Sequence, residues 1–332
     1  MGKETSPYLS IVVTGRNDDH GENFLGRTQL FVDVLLQQLE HCNLRSELIV
    51  VEWNPPADRP SLSDVLVWRN KGPLTDVRFI IVPSDIHNDF KHSKYLPLYQ
   101  MIAKNVGIRR ARGEFVLATN TDILLSNPLM EFLASSRLTR GRMYRVDRYD
   151  VGAQFGSEWS IEQVFRYCHS NILRRHGRFF SSDYPKSWFS QLRHWWYSYN
   201  EYPLKRQVHT NASGDFTLMA RDDWFELQAY PELDVRSTNV DSLLCFMAHF
   251  SGCGREKFLG WPRNIFHIDH SRLDGDTSYA KQIPVPLLGW DQVYDWALEM
   301  SRSHKAIIFN NESWGMPDKI LPEVAIESAA KC

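Results

Sequence analysis

Short apolar runs alternate with amphipathic segments along the first half of the chain. Four of these runs are typical of buried strands: residues 8–13, 48–51, 77–82 and 115–117. Apolar residues at helical spacing predict helices at residues 27–40 and 98–111. Strands and helices that alternate in this way indicate right-handed crossovers and a mainly parallel sheet, which is the α/β class.

Each predicted strand ends at polar residues. They are Thr14, Arg16 and Asn17, then Glu52 and Asn54, then Ser84, and finally Asn120, Thr121 and Asp122. Because ligands of α/β sheets bind at the carboxyl ends of the strands, we expect one polar cleft there. Asn120 and Asp122 point to the same side of the strand end, and such an oxygen-rich pair suits a divalent cation and its phosphates. The alternative is an Asx turn that stops the strand.

The regular pattern breaks down after Asn127-Pro128, where the proline fits the first turn of a short helix. Residues 144–206 are dense in aromatic and basic side chains, which favours an insertion or a substrate-facing region. These aromatic residues include Trp188, Trp195, Trp196, Tyr197 and Tyr199. Regular structure is predicted to resume as a strand at residues 215–220 and a helix at residues 241–250.

Composition excludes several classes of protein. With 332 residues, 43% hydrophobic and 23% charged, and a formal net charge of -2, the chain is neither disordered nor basic enough for nucleic acid. Its five cysteines lack metal-type clustering and are typical of free thiols in a reducing compartment. No apolar run approaches the roughly 18 residues of a membrane span. We therefore expect a soluble cytoplasmic protein, with peripheral membrane contact left open.

Two phosphate-binding motifs are missing from the sequence. No GxGxxG follows the first strand and no GxxxxGK[ST] occurs, which argues against a dinucleotide dehydrogenase and a P-loop phosphotransferase. The first turn instead offers Arg16, whose guanidinium would bind a phosphate through two hydrogen bonds.

Several stretches resemble successive blocks of the family 2 nucleotide-sugar glycosyltransferases, which have the GT-A fold. They are LSIVVTGRN at residues 9–17, IVVE at 49–52, AKNVGI at 103–108, ARGEF at 111–115 and NTD at 120–122. The resemblance covers residues 8–135 and thins out beyond them, although residues 214–224 and 240–252 are similar to later blocks. It implies a hexosyltransferase of polysaccharide biosynthesis that moves a sugar from a nucleoside diphosphate, expected to be UDP, to a glycan or lipid-linked glycan with inversion.

The resemblance also implies roles at matching positions. The nucleotide would be held by Thr14, Arg16, Asn17, Glu52, Lys104, Asn105, Asn120 and Thr121. Asn54 and Ser84 are added to the nucleotide side because they lie at the ends of predicted strands. Glu52 takes the place of the acidic residue that binds the uracil edge, and Asp122 that of the carboxylate that binds Mn²⁺ or Mg²⁺. The departure is Asn120, where the family typically has Asp. An amide still offers an oxygen ligand, but the site loses one negative charge.

Three further residues are predicted to complete the catalytic machinery. Asp241 aligns with an acidic position at a helix start and would be the base that deprotonates the acceptor hydroxyl; the alternative is a carboxylate that caps that helix. His267 and His270 follow a short apolar run. Either could be the late histidine that completes the metal site in GT-A enzymes, with His270 preferred, or an ordinary hydrogen-bonded residue.

The aromatic and basic region is the predicted acceptor site, because sugars stack on Trp and Tyr and arginines pair with acidic groups. Its flanking candidates are Tyr144, Arg145, Asp147, Arg148 and Asp215, and packing of a core is the alternative for the aromatic residues. We accordingly expect three regions. They are a nucleotide-sugar-binding half at residues 1–140, an acceptor-side insertion at 141–210, and an acceptor and catalytic half with a tail at 211–332.

Two rival functions stay open on the sequence. A sugar nucleotidylyltransferase would share a related sheet and a metal, but it would carry a Gly-rich loop with Arg and Lys after the first strand. A catalytically silent carbohydrate-binding protein on the same fold is the other rival, and Asn120 is the residue that favours it.

Overall fold

A computed structural model describes residues 6–19, 21–156, 158–178, 181–183, 202–270 and 283–327. The aromatic residues between Trp188 and Tyr199 that were predicted to bind the acceptor lie outside these described residues.

Strands and helices alternate up to residue 134, as predicted. The strands are β1 (Leu9–Gly15), β2 (Ser46–Trp53), β3 (Thr75–Val82), β4 (Phe115–Ala118), β5 (Ile123–Leu125), β6 (Arg142–Val151), β7 (Ile172–His176), β8 (Ser181–Asp183), β9 (Thr217–Ala220), β10 (Arg255–Ile268) and β11 (Glu323–Ile326). The helices are α1 (Phe24–His41), α2 (Leu62–Val65), α3 (Ser84–Asn88), α4 (Gln100–Arg109), α5 (Asn127–Ala134), α6 (Ile161–Ser170), α7 (Arg221–Glu226), α8 (Val240–Ser251) and α9 (Trp290–Ser303). All predicted elements are present with shifted ends.

One mixed sheet runs through the molecule in the order β11-β3-β2-β1-β4-β9-β6-β10-β5, and β7 and β8 extend it from β6. Strands β3, β2, β1 and β4 are parallel neighbours, which confirms the α/β class. The sheet is parallel over this part and mixed beyond it, because β9 lies between β4 and β6 and is antiparallel to both. Beyond β6, β10 is parallel to β6 and antiparallel to β5.

Helices cover both faces of the sheet, and each face has its own apolar core. One core joins Val12 and Val51 to helices α4 and α8, and the other joins Ile11 and Val13 to α1 and α5. Helix α4 approaches the sheet closely at Gly107, where an added Cβ would lie 2.5 Å from Val12 Cγ1. Every residue of β1 and β2 is buried, as expected for strands covered on both faces.

Two pairs of strand ends determine where side chains meet. The carboxyl ends of β1 and β4 lie side by side in the parallel part of the sheet. The carboxyl ends of β6 and β10 also pair, with His267 opposite Asp150. Across the described residues, no helix has the length and apolar character needed to cross a bilayer.

Candidate functional site

A cleft with a volume of about 600 Å³ opens at the carboxyl ends of β1 and β4. Loops after these strands, the ends of β6 and β10, and the first turn of α8 all contribute to its wall. Many of the predicted residues line it: Thr14, Arg16, Asn120, Thr121, Asp122, Arg148, Asp215, Asp241, His267 and His270. The structure thus brings together residues from both halves of the chain.

Asp122, His267 and His270 form a cluster in which one ligand atom from each residue lies within 4.8 Å of the others. His270 Nε2 is 2.9 Å from Asp122 Oδ2, and His267 Nε2 is 3.7 Å from the same oxygen. Strand pairing builds the cluster, because β10 lies against β5 with His267 opposite Ile123. Ile268 also donates its backbone N–H to Asp122 O, at 3.0 Å.

The donor set of this cluster suits a divalent cation. Burial alone would raise the pKa of Asp122, but His267 and His270 outweigh it and hold the pKa well below its usual range. Its other oxygen, Oδ1, is buried and has no hydrogen-bond partner among the described residues. An ionised carboxylate with a free buried oxygen beside two imidazole nitrogens is a fitting set of ligands for a metal.

Asn120 has a specific partner that explains the amide at this position. Its Nδ2 donates to Asp215 Oδ1 at 2.7 Å, and its Oδ1 accepts from Gln100 Nε2 at 3.0 Å. Arg148 forms an ion pair with the other oxygen of Asp215. Burial raises the pKa of Asp215, but Arg148 and His267 together bring that pKa below its usual value. A carboxylate at position 120 would face the ionised Asp215, whereas an amide donates to it.

Arginine side chains supply positive charge at the cleft. Arg16 lies in the turn after β1, where its Nε donates to Asn54 O at 2.7 Å and its guanidinium pairs with Asp18 at 2.6 Å. Arg27 also lines the cleft, from α1. Sequence patterns alone do not mark Arg27 as a cleft residue, because it occupies a position that helical periodicity assigns to the core.

Asp241 lies in the first turn of α8, whose N-cap position is Asn239. Its Oδ2 accepts hydrogen bonds from Ser213 Oγ at 2.7 Å and from Gly214 N at 2.5 Å. Its Oδ1 accepts from Ser242 N at 2.9 Å. The carboxylate is therefore fixed at the cleft wall and does not occupy the capping position.

Lys104 and Asn105 lie on α4 behind the cleft, fully buried. Lys104 Nζ donates to Gly214 O at 2.6 Å, and burial lowers its pKa to about 8 although Asp215, Asp241 and Asp122 oppose this. Asn105 exchanges hydrogen bonds with the backbone of Tyr230. Both residues stabilise the loops that form the cleft wall through hydrogen bonds to their backbone, and neither residue lines the cleft.

The remaining nucleotide-side candidates lie outside the cleft. Glu52 is fully buried, and its Oε1 accepts the backbone N–H of Leu62 at 2.9 Å. Asn17 donates to Pro60 O at 2.9 Å, so the segment after β2 covers both side chains. Asn54 contributes its carbonyl to Arg16, and Ser84 is exposed at the start of α3.

Three acceptor candidates on β6 also lie outside the cleft and hold the surrounding structure. The Tyr144 hydroxyl accepts from Thr139 N at 2.8 Å within the second core. Arg145 is fully buried and donates to the carbonyl oxygens of His209 and Asn211, at 3.0 and 2.8 Å. Asp147 accepts from Arg175 at 2.6 Å and from Arg178 N at 2.9 Å.

Three other residues at the cleft or behind it belong to no sequence motif. Trp290 and Lys205 line the cleft, and Lys205 Nζ lies 3.9 Å from the centre of a Trp290 ring. Asp150 lies behind His267 on β6, with its Oδ1 3.2 Å from His267 Nδ1. Strand alternation could have found Asp150, since it shares a face with Arg148 two residues earlier.

No protein-family model matches the chain, and no curated protein matches it. Similar solved structures include GalNAc-T7 with UDP, GalNAc and Mn²⁺, at 13% identity and a TM-score of 0.48 over 95% of this chain and 57% of that chain. Another is S. aureus TarS 1–349 with UDP-GlcNAc, at 14% identity and a TM-score of 0.46 over 90% of this chain and 73% of that chain. A third is the catalytic domain of Drosophila β1,4-galactosyltransferase 7 with xylobiose, at 10% identity and a TM-score of 0.37 over 89% of this chain and 79% of that chain.

Proposed function

We propose that the chain is a GT-A glycosyltransferase that transfers a sugar from a UDP-sugar to a hydroxyl of a glycan or lipid-linked glycan, with inversion. The observation that carries the proposal is the cluster of Asp122, His267 and His270, with ligand atoms within 4.8 Å of one another in the cleft at the end of β4. A cation site at the carboxyl edge of an α/β sheet, next to arginine side chains, suits a diphosphate.

The donor side of the cleft would bind the nucleotide diphosphate. Asp122, His267 and His270 would hold a divalent cation, Mn²⁺ or Mg²⁺, which neutralises charge on the leaving diphosphate. Arg16 and Arg27 line the same cleft and would add positive charge beside the phosphates. Thr14 and Thr121 would offer hydroxyl groups, while Lys104 and Asn105 would support the wall from behind.

Asp241 would act as the base. An inverting transfer removes a proton from the acceptor hydroxyl while its oxygen attacks the anomeric carbon, so a carboxylate must face the acceptor. Three hydrogen bonds, from Ser213, Gly214 and Ser242, hold the Asp241 carboxylate in place at the cleft wall. Such fixed positioning favours proton transfer in one defined geometry.

The acceptor side would recognise sugar hydroxyls and faces. Arg148 and Asp215 form a buried ion pair at the cleft, whose polar atoms suit sugar hydroxyl groups. Trp290 adds an aromatic ring on which a sugar face can stack. Within the same proposal, residues 1–140 bind the nucleotide-sugar, residues 141–210 serve the acceptor, and residues 211–332 serve both the acceptor and catalysis. The reaction belongs to cytoplasmic polysaccharide biosynthesis.

Thermal unfolding with nucleotides tests the proposal. UDP with Mn²⁺ should raise the unfolding midpoint, since a ligand that binds the native state alone stabilises it, and UDP in EDTA should raise it less. Asp122→Asn should abolish the part of the rise in the unfolding midpoint that depends on Mn²⁺. Asp222→Asn is the matched control, because Asp222 is an exposed aspartate that pairs with Arg140 at 2.7 Å away from the cleft.

The outcomes separate the rival functions. Release of UDP from a UDP-sugar in the presence of a glycan acceptor supports transfer. Release of diphosphate from a sugar 1-phosphate and UTP would instead show a nucleotidylyltransferase. Glycan binding without any response to nucleotides, with or without Mn²⁺, would show a binding protein and overturn the proposal.

A further inference from the structure

We propose that Asp150 is a positioning residue for the cation site, which holds the His267 ring so that its Nε2 faces Asp122. The inference rests on the proposed function, because it assigns a role toward the cation that Asp122, His267 and His270 would bind. Asp150 itself lies behind His267 and outside the cleft wall.

The ring of His267 bridges two carboxylates. Its Nδ1 lies 3.2 Å from Asp150 Oδ1, and its Nε2 lies 3.7 Å from Asp122 Oδ2. The register of the sheet fixes this arrangement, since β6 and β10 are parallel neighbours with Asp150 opposite His267. A carboxylate beside Nδ1 favours the proton on that nitrogen, which leaves the lone pair of Nε2 for a metal.

Asp150 is itself held firmly. It is 1% exposed, and Arg148 Nε lies 2.9 Å from its Oδ1. His176 Nε2 lies 3.1 Å from its Oδ2. Both oxygens lie beside cationic or imidazole groups, so the carboxylate is held in a position suited to orient His267. Arg148 extends the network to Asp215 in the cleft wall.

The same strand provides a matched control residue. Asp147 is 5% exposed and, like Asp150, contacts an arginine and a histidine, with Arg175 at 2.6 Å and His209 at 3.3 Å. It lies three residues earlier on β6 and therefore points to the opposite face. Replacement of either aspartate by asparagine removes one buried charge from a similar network. Of the two, Asp150 is the one that contacts His267 of the proposed cation site.

The first test measures Mn²⁺ binding by electron paramagnetic resonance of the free ion, in the presence of UDP. Asp150→Asn should weaken Mn²⁺ binding by about 10- to 100-fold, as is usual for carboxylates that orient a histidine ligand. UDP binding in EDTA should be unchanged. Asp147→Asn should lower the unfolding midpoint to a similar extent and leave Mn²⁺ affinity as in the wild type.

A second measurement needs no Asp150 variant. In protein with ¹⁵N-labelled histidine and diamagnetic Zn²⁺, nuclear magnetic resonance should show His267 protonated at Nδ1 and bound to the metal through Nε2, with the signal assigned by its loss in His267→Gln. A proton on Nε2 would overturn the inference. Equal Mn²⁺ affinity of Asp150→Asn and the wild type, or equal losses in the two aspartate variants, would also overturn it. If the wild type bound no Mn²⁺, the cation site of the proposed function would itself fail, and this inference with it.

Discussion

Lys104 and Asp241 are joined through the backbone of one residue, Gly214. Lys104 Nζ donates to Gly214 O at 2.6 Å, and Gly214 N donates to Asp241 Oδ2 at 2.5 Å. A buried cation behind the wall thus holds the peptide that positions the candidate base. A Cβ at position 214 would lie 3.2 Å from Asp241 Oδ2, which leaves little room for any other residue there.

The buried ammonium of Lys104 should make stability depend on pH. Burial lowers its pKa in the folded protein to about 8 from its ordinary value of 10.5, so the unfolded chain binds more protons between these two pH values. The free energy of unfolding therefore rises with pH in this window. From pH 7 to pH 9, wild type should gain about 1 kcal/mol relative to Lys104→Met, as measured by urea unfolding. If the difference in the free energy of unfolding between wild type and Lys104→Met did not change with pH, the lowered pKa of Lys104 would be contradicted.

Asp241→Asn should slow sugar transfer without weakening donor binding. The amide keeps the shape of the side chain but cannot take the proton of the acceptor hydroxyl, so the rate should fall by about 10²-fold or more. Steady-state transfer assays and calorimetric titration with UDP and Mn²⁺ measure the two effects. Ser242→Ala serves as control, because Asp241 accepts from the backbone N–H of Ser242, which this change retains. Full activity of Asp241→Asn would exclude it as the base.

The cation site should prefer Mn²⁺ over Mg²⁺. Two of the three candidate ligands in the proposed site are imidazoles, and Mg²⁺ favours an all-oxygen octahedral environment. Competition titrations in the presence of UDP should show tighter binding of Mn²⁺. His270→Asn replaces an imidazole nitrogen by an amide oxygen, so the difference in affinity between Mn²⁺ and Mg²⁺ should become smaller. Equal affinities in the wild type would mean that the imidazoles do not bind the metal.

Glu52→Gln should separate a structural role from a role in base recognition. Burial raises the pKa of Glu52, so the folded protein binds more protons than the unfolded chain above pH 4.5, and ionisation there lowers the free energy of unfolding. The glutamine variant retains an acceptor for Leu62 N and should gain stability relative to wild type from pH 4.5 to pH 7. Its preference for UDP over other nucleoside diphosphates should be unchanged, because Glu52 lies outside the cleft. A lost preference would support the uracil-binding role implied by the sequence resemblance.

Local patterns were sufficient to predict the parallel part of the sheet and much of the cleft. Asn120, Asp122 and Arg16 follow apolar strands, and the carboxyl ends of parallel strands necessarily share an edge. The same rule also places Glu52 at this edge, but it does not reveal that the segment after β2 buries the side chain outside the cleft. The course of that segment depends on tertiary packing. Strand order beyond β4 was likewise invisible, since periodicity does not specify which strands become neighbours.

Strand β6 shows how alternation sorts candidates of similar chemistry. Arg148 and Asp150 share one face near the cation cluster, whereas Arg145 and Asp147 share the other and bind backbone and arginine groups away from the cleft. Composition alone could not distinguish these two charged pairs. The pairing of β6 with β10 decides between them, and that contact joins segments far apart in sequence.

The pairing of β5 with β10 would give a cation bound at the proposed site a structural role as well as a chemical one. Asp122 and His270 are separated by 148 residues in the chain, so a metal held by both would close a long loop, as a covalent cross-link does. Removal of the metal by a chelator should therefore weaken the attachment of β10 to β5. Amide hydrogen exchange at Ile268, which donates to Asp122 O, would be faster without the metal.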